Sequence, residues 1–308
     1  MRRKLLVAML FSLPAVFAGT PAHALFDDLA ISPRARALGE ALTTNAGDAW
    51  AFYYNPAMLP MVKTPVGEIS AVQPNGQSFN NLTSAAVAIP LRGNRGAIGV
   101  GWRRYGVDFG GTDLATENTL SVAHGFRLFG DASTAAYFGW TLNFYNAEFA
   151  RSIGAAGDGS NGVDPGNAWA VGVDFGAVGT VYERTRVGFF TRNVNNATIG
   201  EDGEELRRQV CLGISYAAYP GVTAAMDLRS SLGDEEFRIH SGLEFEVVPQ
   251  LILRAGLETQ PSKLSAGCGI RLPFVTLDYG FSTGGGVLDT SHHFGLSVRW
   301  DRREEKQP

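Results

Sequence analysis

Beyond Lys63 the apolar residues of this chain recur at every second position. In AYFGWTLNFYN, Ala136 to Asn146, the residues Phe138, Trp140, Leu142 and Phe144 fall on one side of an extended chain, and Tyr137, Gly139, Thr141, Asn143 and Tyr145 on the other. The same alternation sets Phe237, Ile239, Leu243 and Phe245 against Arg238, His240, Gly242 and Glu244. It sets Leu251, Leu253, Ala255 and Leu257 against Ile252, Arg254, Gly256 and Glu258, and Phe294, Leu296, Val298 and Trp300 against Gly295, Ser297 and Arg299. Each segment thus has one bulky apolar face and one small, polar or charged face whose charges need water or partners. Marking every such window predicts strands over 67–73, 84–90, 96–105, 118–127, 135–146, 168–176, 185–193, 208–216, 222–229, 236–245, 251–259, 264–271, 275–283 and 291–300, fourteen in all. One helical pattern precedes them, RARALGEALTTNAGDAWAFYYNPAMLP from Arg34 to Pro60. It predicts a helix over Ala35 to Ala46 and stops at Asn55-Pro56, because proline holds the residue before it in extended backbone.

Strands of about ten residues match the length needed to cross a bilayer obliquely. Their connections alternate between tight turns, such as Tyr219 to Gly221 and Val248 to Gln250, and long polar loops, such as Arg151 to Asn167 and Asn195 to Arg207. With an even strand count, and with Trp102, Trp140, Trp169 and Trp300 in or at the ends of strands as interfacial girdles require, this predicts an all-β fold. The architecture is a transmembrane antiparallel β-barrel of about 14 strands, its bulky face toward lipid. The competing architecture is a soluble β-sandwich, which turns its apolar face inward and has no need of unequal loops. An unpaired N–H or C=O in hydrocarbon costs several kcal/mol, so a membrane sheet must close on itself. A barrel this wide is not filled by its own side chains. The helical segment is therefore expected to be an N-terminal hatch or plug in the lumen; on the soluble reading it is an ordinary N-terminal helix.

At the start of the chain, Arg2, Arg3 and Lys4 precede the apolar run Leu5 to Phe17, and Ala22-His23-Ala24 has the small-x-small form of a leader cleavage site. The expected organisation is a signal peptide over 1–24, a hatch segment over 25–63, a barrel over 64–300 and a charged tail over 301–308 after Trp300. A net charge of −4 and a pI near 5.8 offer no basic face for nucleic acid. The only cysteines, Cys211 and Cys268, fall on opposite faces of strands four apart, too far for a disulfide.

RARALGEALTTNAGDAWAFYYNPAMLP resembles the N-terminal signature of the PorV/PorQ outer-membrane proteins, which are related to the FadL-like long-chain fatty-acid transporters. The resemblance continues through RVGFFTRNVNNATIGEDGEELRRQVCLGISY, FRIHSGLEFEVVPQLILRAGLE, LSAGCGIRLPFVTLDYGFS and HHFGLSVRW, and spans most of the chain after residue 24. It implies a fourteen-stranded barrel with an N-terminal hatch. The family's Asn-Pro-Ala-Gly-Leu form reads Asn55-Pro56-Ala57-Met58-Leu59 here, and Asn55, Pro56 and Ala57 are expected to seat the hatch. The resemblance further implies an exported protein cargo or, on the FadL-like alternative, a hydrophobic small molecule as partner alongside outer-membrane lipid.

If the second face lines the lumen, Arg127, Asp174, Arg186, Arg192, Asp227, Arg229, Arg238, Glu244, Arg254, Glu258, Arg271, Asp278 and Arg299 all point inward. Pairs such as Asp227 with Arg238, or Glu244 with Arg254, would hold wall and hatch together. The alternative role for the arginines is to bind a carboxylate ligand. The five histidines lack metal-ligand spacing, and the glycine-rich Ser282 to Asp289 is not followed by a phosphate-binding helix. No cofactor, metal or enzymatic activity is expected.

Overall fold

The computed structural model describes residues 25–26, 29–45, 47–131, 133–151, 161–232, 237–284 and 289–300. The expected leader and the charged tail lie outside these residues. The N-terminal segment holds α1 (Pro33–Ala37), α2 (Ala51–Tyr54) and a 3₁₀ turn over Pro56–Met61. Strands follow as β1 (Val66–Gln73), β2 (Asn80–Pro90), β3 (Ala97–Phe109), β4 (Thr112–Gly130), β5 (Thr134–Phe149), β6 (Asn167–Val181), β7 (Thr185–Arg192), β8 (Thr198–Ile199) and β9 (Glu204–Glu205). The rest are β10 (Gln209–Tyr219), β11 (Val222–Ser231), β12 (Phe237–Val248), β13 (Leu251–Glu258), β14 (Lys263–Arg271), β15 (Val275–Ser282) and β16 (Ser291–Arg299).

All of these except β8 and β9, which form a small hairpin in the loop after β7, close into one antiparallel barrel. The last strand returns to the first from Val66–Arg299 to Gln73–His292. Every strand window read from the sequence overlaps a barrel strand, and the differences lie at strand ends, most of all in β4, which spans 19 residues.

The bulky face points outward. On β5 the inward Gly139, Thr141, Asn143, Tyr145 and Ala147 are buried, whereas Phe144 on the outer face is 39% exposed. The outer face of β5 is apolar from Ala136 to Phe144 and turns polar at Asn146 and Glu148. Eight residue steps at about 3.4 Å, tilted about 40°, span about 21 Å, close to the apolar band of outer-membrane barrels. Trp169 and Trp300 lie at strand ends, but Trp102 and Trp140 sit mid-strand. The expected girdle is supplied instead on the short-turn rim by exposed Phe129, Tyr182, Tyr219 and Phe274. That rim carries the tight connections 131–133, 182–184, 220–221, 249–250 and 272–274 and both ends of the barrel sequence, while 150–166 and 193–208 lie on the other.

The helix expected over Ala35 to Ala46 is a correction: α1 ends at Ala37. Gly39 and Glu40 adopt φ of 57° and 63°, which no α-helix accommodates. The chain turns there because it must follow the wall: a Cβ on Gly39 would lie 2.8 Å from Leu257 N. Alanine-rich propensity loses to this contact. At Asn55 the expectation agrees with the backbone, which ends α2 in an extended conformation (φ −170°, ψ 110°).

The core lies between hatch and wall. Trp50, Phe52, Leu38, Leu42, Met58 and Leu59 are fully buried in one cluster with Val66, Leu82, Ala88, Ala123 and Val178 from the strands. Close approach is possible because the inner face of the wall presents glycine to the hatch on strand after strand. Gly139 on β5 faces the backbone of Pro56 and Ala57, and Gly242 on β12 faces that of Leu38.

Candidate functional site

The candidate site is the lumen, where the hatch divides two polar chambers. Its central seat is Asn55, which is wholly buried. Asn55 Nδ2 donates to the Thr43 carbonyl at 3.0 Å and the Phe189 carbonyl of β7 at 3.3 Å, and its Oδ1 accepts the Ala57 N–H at 3.0 Å. Pro56 begins the following 3₁₀ turn, so its missing N–H costs nothing there. Beside it Arg192 stacks on Tyr53 with its guanidinium 4.3 Å from the ring centre and donates to the Tyr53 carbonyl at 2.8 Å.

Two arginines of α1 lock the hatch to the far wall. Arg34 forks onto Glu244 of β12 (3.0 and 3.2 Å) and also reaches Asp48 (3.0 Å); Arg254 of β13 bridges the same Glu244 (2.8 Å) to Asp278 of β15 (2.6 Å). Arg36 joins Glu258 (2.7 Å) and Glu40 (2.6 Å), and Arg229 of β11 completes the group on Glu40 at 3.1 Å. Burial would lower the Arg34 pKa, but Glu244 and Asp48 outweigh it and raise the group further above its ordinary value; Glu40 and Glu258 do the same for Arg36. Both remain cations at any pH at which the barrel folds.

On the long-loop side of the hatch lies a cavity of about 280 Å³. Leu29, Ala30, Val72 and Leu82 form its apolar wall, and Arg207, Arg229, Arg238 and Lys263 its basic wall. A neighbouring cavity of about 180 Å³ shares Leu29, Pro74, Asn75 and Leu82 with it. On the short-turn side, a cavity of about 250 Å³ is lined by Arg34, Asp48, Glu68, Glu244, Arg254, Asp278 and Arg299, with charges nearly balanced.

All the charged residues read from the sequence as facing the lumen do lie on the inner face, but they do not form one cluster. Asp174 accepts from Asn143 Nδ2 (2.7 Å) and the Asn193 N–H (2.9 Å). Arg271 pairs with Glu246 at 3.0 Å. Among the described residues Arg127, Arg186, Arg238 and Arg299 form no ion pair. The expected Glu244–Arg254 pair is present; the Asp227–Arg238 pair is not. The register sets Asp227 opposite His240 and Arg238 opposite Arg229, and Asp227 instead accepts the Thr43 N–H of the hatch at 2.9 Å. Cys211, on the inner face, also touches the hatch, its Sγ 3.0 Å from Thr43 Oγ1, whereas Cys268 looks toward lipid. Arg34, Arg36, Glu40, Asp48, Tyr53 and Arg103 were not singled out from the sequence. Arg36 and Glu40 stand at i,i+4, a spacing the sequence offered, but their wall partners lie up to 222 positions away, where no local pattern marks them. Glycine recurring on the polar face was the available signal for the seat.

Besides register shifts near strand ends in four of the pairs, the wall loses its pairing along one edge. Strand β7 pairs with β6 only from Phe175 to Val181; above that, Asn195 caps the β6 edge through Val173 N–H (3.0 Å) and Val171 carbonyl (2.8 Å). The loop carrying β8 and β9 buries Ala197, Ile199 and Leu206 against Tyr145 and Ala170 there. The chambers beside the hatch are mixed or charged rather than purely apolar.

No sequence-family description matches the chain, and no curated protein matches it in sequence. Solved structures do match it in fold. The toluene transporter TbuX of Ralstonia pickettii superposes with a TM-score of 0.59 at 14% identity, over 88% of this chain and 98% of that one. A FadL homologue of Pseudomonas aeruginosa gives 0.58 at 13% identity, over 89% and 99%, and the toluene transporter TodX of Pseudomonas putida gives 0.56 at 13%, over 89% and 98%. Identities this low speak for architecture, so the PorV/PorQ membership and its protein cargo gain no support from them. The chain shares the closed-barrel fold of these solved transporters and of the FadL homologue.

Proposed function

We propose that this barrel admits hydrophobic small molecules through the outer membrane, and that the favoured ligand is an apolar molecule with a carboxylate head. The observation that carries this is the loop-side cavity. It sets Leu29, Val72 and Leu82 opposite Arg238 and Lys263, directly above the hatch; neither cation is within ion-pair distance of a carboxylate among the described residues, although Glu258 faces Lys263 across the strands and also lines the cavity. An apolar wall removes the tail from water while a cation accepts the head. The solved transporters of the same fold carry toluene by name, which supports the hydrophobic class; the basic wall supports the acidic head. The latches of Arg34 and Arg36 mean that passage requires the hatch to shift.

The test is binding of a long-chain carboxylate and of its neutral methyl ester to the detergent-solubilised protein and to a R238A/K263A variant. The carboxylate is expected to bind the parent tightly and to lose about tenfold in the variant, with the ester unchanged. Equal loss of both ligands, or no binding of either to the parent, would overturn the reading.

A further inference from the structure

Beneath the hatch, the cavity of about 250 Å³ on the short-turn side holds two opposite charges that the latch does not use. The other carboxylates lining it are committed. Asp48 accepts from Arg34 at 3.0 Å and from the Trp50 N–H at 3.1 Å, Glu244 is bridged by Arg34 and Arg254, and Asp278 accepts from Arg254 at 2.6 Å. Arg271 is held by Glu246 at 3.0 Å. Glu68 of β1 and Arg299 of β16 are left. Glu68 is 8% exposed, yet among the described residues its carboxylate makes no hydrogen bond and no ion pair, and the Arg299 guanidinium likewise makes neither. The two do not pair with each other. The register sets Arg299 opposite Val66 and Glu68 opposite Ser297, so they are diagonal neighbours about 7–8 Å apart along the inner face, both opening on the same cavity.

A carboxylate withdrawn from water without a partner is costly, and a cation arriving from solution relieves that cost. The charged groups facing Glu68 are Asp48 and Asp278, which add to its attraction for a cation, and Arg34 and Arg254, which the latch carboxylates already share. Arg299 faces Asp48 and Asp278 too, but also Arg271 and Arg34, whose charges favour an anion beside it. A lone cation would satisfy only Glu68, and a lone anion only Arg299. We propose that this chamber binds a small zwitterion, its ammonium group on Glu68 and its carboxylate on Arg299. A cavity of about 250 Å³ suits a solute of amino-acid size rather than a long acyl chain. Short turns face the periplasm in outer-membrane barrels, so the solute enters from that side. The site lies across the hatch from the loop-side cavity and is independent of the ligand proposed there.

The test is equilibrium binding to the detergent-solubilised protein of β-alanine, γ-aminobutyrate and ε-aminocaproate, which space the two charges progressively further apart. The N-acetyl derivative of the best binder lacks the cation, and its methyl ester lacks the anion. At least one amino acid is expected to bind the parent saturably, and each of its derivatives about tenfold more weakly. E68Q, which removes an unpartnered charge and should still migrate as a folded barrel, is expected to bind the amino acid no better than the parent binds the N-acetyl derivative. R299M should bind it no better than the parent binds the ester. R238A/K263A should bind it as the parent does, which separates this chamber from the loop-side cavity. No saturable binding of any of the three by the parent, equal binding of zwitterion and derivatives, or undiminished binding by folded E68Q would overturn the proposal. So would a loss confined to R238A/K263A.

Discussion

Glycine 139 offers the sharpest test of how the hatch is held. A Cβ placed on it would lie 2.6 Å from both Ala57 N and Pro56 O, atoms of the hatch backbone that cannot swing aside. Pro56 C is nearer still at 2.4 Å and ordinary contact begins at 3.4 Å, so Gly139→Ala forces wall and hatch apart by about 1 Å. Three wall-to-hatch hydrogen bonds lie beside this point: Asn55 Nδ2 to Phe189 O at 3.3 Å, Arg192 to Tyr53 O at 2.8 Å and Thr141 Oγ1 to Phe52 O at 3.5 Å. Adding about 1 Å to each takes all three past the useful range. At about 1 kcal/mol per bond the seat loses about 3 kcal/mol, which shifts the balance between seated and unseated hatch by about 100-fold. The wall should survive, because its strand ladders do not involve the substituted face. In planar bilayers the G139A protein is therefore expected to open about 100 times more often than the parent, while still migrating as a folded barrel on an unheated gel. Gly179→Ala on β6 is the control, since a Cβ there meets nothing nearer than Val187 O at 4.0 Å. An opening frequency equal to the parent's in folded G139A would refute the seat.

Further predictions follow from the same contacts. Arg36→Met leaves the buried Glu40 and Glu258 without their shared guanidinium and should lower stability by about 3–5 kcal/mol, read from the heat-modification midpoint; adding Glu258→Met to it should restore part of the loss, and an additive double variant would contradict the latch. Cys211 should resist a water-soluble maleimide in the parent but react in G139A, since Thr43 of the hatch covers it; equal labelling of parent and urea-unfolded chain would contradict that placement. Leu142→Arg, on the outer face of β5, should destabilise the inserted barrel by about 2–4 kcal/mol, and Asn143→Asp, on the wet face, by far less; the reverse order in urea-unfolding from lipid would mean the faces are exchanged.

The wall was legible because a two-residue period survives any error in strand ends: Phe138, Trp140 and Leu142 stay on one face wherever β5 begins. The hatch was legible only as a presence. Its alanines and Leu38, Leu42 suggested a long helix, yet the path is dictated by the wall, which bends the chain at Gly39 and Glu40. The wall partners of Arg34 and Arg36 lie on β12 and β13, separated from them by more than 200 positions, so alternation shows that Glu244 and Glu258 face inward but not what they meet. Register explains the missed pair as well: Asp227 faces His240, one inward step from Arg238. The small hairpin of β8 and β9 has two residues per strand, too few for any period.

Everything proposed depends on the bulky face meeting lipid while the hatch stays in the lumen, and tryptophan quenching by brominated acyl chains tests it most directly. Single-tryptophan proteins retaining Trp140, on the outer face of β5, or Trp50, 1% exposed within the hatch, would be reconstituted in brominated and ordinary lipid. The account predicts strong quenching of Trp140 and none of Trp50. An unquenched Trp140 would place the apolar faces in a dry protein interior and contradict the membrane barrel, the hatch and the transport proposal together.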